Sequence, residues 1–104
     1  MTATQHIIHR TGEPSLRFTG EYLGDVSDNG YDDGRDECVT FALYRTAAGK
    51  WVAVSHHETR TMDPDYHGAK VCEDVEQVYG FFGFTPEAQE LYRLASIEPI
   101  EDVE

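Results

Sequence analysis

Cys38-Val-Thr-Phe-Ala-Leu-Tyr-Arg-Thr-Ala-Ala-Gly-Lys-Trp-Val-Ala-Val-Ser-His-His-Glu58 is the stretch that decides the fold. Val39, Phe41 and Leu43 alternate with Thr40, Ala42 and Tyr44, the period-two pattern of a half-buried strand. Thr46-Ala-Ala-Gly49-Lys50 is a short turn with a glycine to take positive φ, and Trp51–Ser55 is a second β-rich run. The whole reads as a β-hairpin. Upstream, Leu16, Phe18 and Tyr22 alternate with Arg17, Thr19 and Glu21, which predicts another strand from Ser15. Gly20 in its middle marks a bulge or a close backbone approach. Tyr66–Cys72 is a weaker fourth strand, reached through a 59–65 connection in which Asp63-Pro64 favours a turn.

Helical spacing appears only downstream. Asp74 is placed to cap a short helix carrying Val75, Val78, Tyr79 and Phe82, and Gly80 and Gly83 limit its length. Thr85-Pro86-Glu87 is a stronger start, with an N-cap threonine, proline at the first helical position and an acid at the positive end of the dipole. Ala88, Leu91, Tyr92 and Ala95 supply that helix with an apolar stripe. The expected architecture is α+β, a three- to four-stranded antiparallel sheet with one or two C-terminal helices packed on one face. Residues 1–14 read as a flexible leader, 15–96 as a single domain, and 97–104 as an acidic tail or edge strand. Residues 24–37, rich in Gly, Asp and Asn, read as a loop.

The chain has 104 residues, enough for one domain. Its 12% aromatic content argues against a disordered chain. No apolar run approaches the roughly 20 residues needed to cross a bilayer, and the N-terminus lacks a secretory pattern, so a cytoplasmic location is expected. Cys38 and Cys72 are then reduced thiols, without C-x-x-C spacing.

The formal net charge is −12, and it is unevenly placed. Residues 21–37 hold Glu21, Asp25, Asp28, Asp32, Asp33, Asp36 and Glu37 against Arg35. Residues 73–104 hold nine acids, beginning with Glu73, Asp74 and Glu76, against Arg93. The segments 1–20 and 38–72 are nearly neutral. Such a surface does not bind nucleic acid directly, since phosphate contacts need Lys and Arg, and anionic membranes are disfavoured for the same reason. A basic protein partner would instead be steered in.

Motifs for chemistry are few. Asp25-x-Ser27-x-Asn29-Gly30-Tyr31-x-Asp33-x-x-Asp36 fits a relaxed EF-hand register, with enough oxygen ligands for a hard cation. It ends in Asp rather than Glu, carries Asp32 where an apolar residue is usual, and is flanked by strands. His56-His57-Glu58 with Asp63, Asp65, His67 and Cys72 invites a metal reading, but adjacent strand histidines point to opposite faces. No G-x-S-x-G, G-x-G-x-x-G or Walker pattern occurs. A non-enzyme without catalytic residues, metal or cofactor is the expectation.

Phe18-Thr-Gly-Glu-Tyr-Leu, Leu43-Tyr-Arg-Thr-Ala-Ala-Gly-Lys-Trp-Val-Ala-Val and the acidic end Ile97-Glu-Pro-Ile-Glu-Asp-Val-Glu together resemble small bacterial and mobile-element proteins of the EXLDI type. The ending Glu101-Asp102-Val103-Glu104 departs from the motif that names the family. The resemblance implies a cytosolic α+β domain and no catalytic residues. In size and charge alone the chain is also similar to anti-CRISPR and anti-restriction proteins of phages and plasmids.

The leading functional expectation is an acidic interaction protein that occupies a basic, nucleic-acid-binding surface of a partner, such as a defence complex. Its contact candidates are Asp25, Asp28, Asp32, Asp33, Asp36, Glu37, Glu73, Asp74 and Glu76, brought by folding into one anionic surface. The alternatives are a housekeeping domain whose charge confers solubility, and a calcium-binding loop protein using Asp25–Asp36. A homodimer is compatible with each.

Overall fold

Alternation around the Ala47–Gly49 turn folds as a hairpin, with Gly49 at φ 87°, and the rest of the sheet grows outward from it. The structure is a computed structural model describing residues 4–28, 30, 34–60, 64–101 and 103. Strands β1 (Thr4–Arg10), β2 (Glu13–Ser27), β3 (Glu37–Thr46), β4 (Trp51–Thr59) and β5 (Tyr66–Cys72) precede helices α1 (Val75–Phe82) and α2 (Pro86–Leu94). The strands form one sheet in chain order, every neighbouring pair antiparallel. The α+β arrangement is therefore as expected, with one strand more. Among the described residues, no helix is long and apolar enough to cross a membrane.

Residues directly opposite in an antiparallel ladder share a face. Leu43, Ala53, Trp51 and Cys72 thus face the helices, where they bury against Val78, Phe82, Ala88, Leu91 and Tyr92. Arg45 stacks its guanidinium 4.1 Å from the Trp51 ring. Both helices start as their sequences predict. Asp74 Oδ1 accepts from the Gln77 amide at 3.0 Å, and Thr85 Oγ1 from the Ala88 amide at 3.2 Å. The fully buried Tyr92 donates its hydroxyl to the Gly83 carbonyl at 2.6 Å, tying α2 to the turn before it. Cys38 and Cys72 are free thiols on opposite faces.

The opposite face carries Tyr44, Val52, Val54 and Ala69, and the N-terminal hairpin closes over it. β2 outruns β3, whose pairing begins at Gly20↔Thr46, and it bends there. Gly20 makes the bend possible, because a Cβ at that position would lie 2.3 Å from the Arg45 carbonyl oxygen. The projecting part of β2 and all of β1 then turn back across the sheet. His6 and Phe18 rings come within 4.8 and 5.4 Å of Tyr44, and the Thr11 amide donates to the His67 carbonyl at 2.8 Å. The two edge strands thereby meet, and this face is concave.

Two expectations are corrected. Residues 4–10, read as part of a flexible leader, form β1. Their alternation is short, and Gly12-Glu13-Pro14, which suggested a break, instead spans the end of a tight hairpin turn and the start of β2, with Arg10 opposite Glu13. The loop expected over 24–37 begins later, because β2 continues to Ser27. An irregularity between Tyr22 and Gly24 shifts the phase, so Val26 packs on the core although it follows the breakers Gly24 and Asp25. At the other terminus Ile97 is anchored by its amide to the Tyr92 carbonyl and by Tyr79, whose hydroxyl donates to its carbonyl. Beyond it, Ile100 and Val103 are exposed without regular structure.

Candidate functional site

Helix length decides what the helices leave open. Ten residues of β3 extend about 33 Å at strand rise. The eight and nine residues of α1 and α2 span only about 12–14 Å. α1 runs from beside Cys72 toward the middle of the sheet, where Phe82 meets Phe41 at 4.8 Å between ring centroids. The chain turns through Gly83–Thr85, and α2 returns over β2 and β3. The far end of this face is left uncovered.

Three adjoining depressions follow that uncovered end. One of 630 Å³ lies among Gly34–Glu37, His57, Thr59, Pro64 and Tyr66. A second, of 240 Å³, is walled by Asp28, Val39, Phe41, His57, Thr85 and Glu87. A third, of 420 Å³, lies between Asp25–Ser27 and Pro86, Glu87 and Glu90. His57 is shared by the first two and Glu87 by the last two, so they join as one groove round the tip of the helix pair. Val39 and Phe41 give its centre an apolar floor, Tyr66 and His57 form an aromatic wall with rings 6.2 Å apart, and carboxylates stand on the rim.

The predicted contact residues divide into two groups. Asp28, Asp36 and Glu37 line the groove, while Asp32 and Asp33 lie outside the described residues. Asp25, paired with Ala42, turns its carboxylate to the opposite, concave face, where it accepts a hydrogen bond from the Tyr22 hydroxyl. Asp28 is partly structural: its Oδ1 accepts from the Gly30 amide at 3.0 Å and the Val39 amide at 3.1 Å, and Arg35 stands 3.6 Å from Oδ2. Burial pulls its pKa up. The Val39 and Gly30 amides, Arg35 and the Cys38 thiol outweigh that pull and hold the carboxyl below its ordinary value.

Glu73, Asp74 and Glu76 lie elsewhere. Glu73 is 3.4 Å from Lys50, Asp74 caps α1, and Glu76 is in the first turn of that helix. They flank the Trp51↔Cys72 pair, whereas Glu37 sits opposite Thr59 at the other end of β4. Nine strand residues separate the two ends, about 26 Å at strand rise. The two expected contact sets therefore do not form one surface. The acid of the C-terminal block that does reach a loop acid is Glu87, which the sequence reading passed over and which stands beside Asp28; Glu90 is paired with Arg93. The signal was present in the paired helix starts at Asp74 and Thr85, which fold the chain back and carry Glu87 to the far end.

The calcium register is split in the same way. Asp25 and Ser27 stand on β2 rather than on a loop, and Asn29, Tyr31 and Asp33 fall outside the described residues. His56 pairs with His67 on the concave face and His57 with Tyr66 on the groove face, as strand alternation requires, while Cys72 is in the helix-side core. Among the described residues, no three His, Cys, Asp or Glu side chains are disposed to hold a metal ion. Comparison with protein-family models, curated proteins and solved structures found no match.

Proposed function

We propose that the chain is a non-enzymatic binding protein whose acidic groove docks a basic, extended segment of a partner protein. One observation carries the reading: acids from both charged blocks, Asp28 and Glu87, meet at a groove floored by Val39 and Phe41. Carboxylates on the rim supply steering and register, and the apolar floor supplies contact area that charge alone does not. A segment alternating Lys or Arg with apolar residues fits both. Proteins that bind nucleic acid present such rows of cations. Occupation of a partner's nucleic-acid site, as anti-CRISPR and anti-restriction proteins do, is the form of inhibition this proposal favours.

The test is a titration of isotope-labelled protein with a synthetic peptide alternating Arg and Leu, followed amide by amide. Shift changes centred on Val39, Phe41, His57 and Glu87, weakening steeply as salt is raised, are expected. Changes confined to the Glu73–Glu76 end, or none at millimolar peptide, would refute the groove.

A further inference from the structure

The groove leaves unused a group of titratable side chains on the concave face, where the edge strands meet. The His56 and His67 rings are stacked, 4.1 Å apart and 15° from parallel, and His9 of β1 meets His67 edge-on at 5.4 Å. Two carboxylates complete the group. Glu58 Oε1 is 3.6 Å from His56 Nδ1, and Asp65 Oδ2 is 3.5 Å from His56 Nε2, a buried nitrogen that makes no hydrogen bond. Arg10, the next residue on β1, is directed away to Glu13 and the Pro14 carbonyl.

These rings sit on the contact that closes the sheet. The His67 amide donates to Thr11 Oγ1 at 2.9 Å, and the Thr11 amide donates to the His67 carbonyl. One residue of β5 thus holds both main-chain bonds to the end of the N-terminal hairpin and the ring between His56 and His9. His56 stands between the Glu58 and Asp65 carboxylates. A proton on His67 would instead lie against the face of His56 and beside the His9 ring.

We propose that the β1–β5 contact is a proton-operated latch: charging His67 parts Thr11 from β5 and releases the N-terminal hairpin from the concave face. The device is independent of the docking groove. Linkage gives its sign. Burial, then His56 and His9, hold the His67 imidazole below the ordinary histidine value, against the weaker opposite pull of Asp65 and Glu58. The closed form therefore binds fewer protons than the open one. Closure is complete above about pH 6.5, the ordinary histidine pKa, and weakens as pH falls below it, by at most tenfold per pH unit for one proton.

Amide hydrogen exchange, corrected for intrinsic rate, tests this between pH 7.5 and 5. Protection at Thr11 and His67 should drop about tenfold while Leu43 and Ala53, in the sheet centre, keep theirs. His67→Phe keeps a stacked ring that does not titrate, and its latch should stay closed across the range. His9→Phe removes one like-charged neighbour and should move the opening to lower pH; it serves as the variant of record if His67→Phe does not fold. Unchanged protection at Thr11 down to pH 5, or a wild-type drop that persists in His67→Phe or does not move in His9→Phe, would overturn the latch.

Discussion

Asp28 shows how one carboxylate can be read from sequence as a ligand and yet serve the chain that carries it. Its Oδ1 gathers the amides of Gly30 and Val39, closing the loop that follows β2 onto the start of β3. Because its folded pKa is lowered, the stability it contributes is present above the ordinary aspartate value and is lost as pH falls below about 4. Asp28→Asn keeps an oxygen acceptor but loses the charge, so it should cost about 1 kcal/mol at pH 7. It should also flatten the loss of stability below pH 4. Urea unfolding midpoints at pH 7 and pH 3.5 measure both. At this scale, sequence was informative where chemistry is local. Gly20 in a strand announced a close approach, which proved to be the Arg45 carbonyl. The commitment of Asp28 was not legible, because its second amide comes from a strand eleven positions on in the chain.

Helix α2 carries Glu87, the groove acid that the contact predictions omitted, and its start fixes where that acid goes. Thr85 caps the helix at the tip of the pair, directly beside Glu87 on the groove wall. Thr85→Ala should lower stability by about 1 kcal/mol, read as a shift in thermal or chemical midpoint with the fold retained. The element itself was legible, since capping, proline at the first turn and apolar spacing all lie within a few residues. So was the β3–β4 hairpin, whose alternation and turn are contiguous. β1 was not. Its inward residues, His6 and Ile8, are two positions in a short run, and the reason they are covered is a bend at Gly20 in another strand. The extension of β2 past Gly24 was hidden for a related reason: the irregularity at Tyr22–Gly24 breaks the period that would have revealed it.

Over the whole molecule, net charge and charge placement make different predictions. A charge of −12 attracts any basic partner and keeps the chain soluble wherever the carboxylates stand. The groove claims more, that Glu37 and Glu87 count while Glu73 and Glu76, about 26 Å from Glu37 along the sheet, do not. The blocks of charge were visible in the sequence; which members of each block meet depends on two short helices turning back at Gly83. The most direct measurement compares two variants of equal net charge, Glu37→Gln/Glu87→Gln and Glu73→Gln/Glu76→Gln, in fluorescence anisotropy titrations with the same Arg/Leu peptide at fixed salt. The account predicts at least a tenfold loss of affinity for the first pair and less than a twofold change for the second. Equal losses from both would show that the peptide responds to total charge and would contradict the groove.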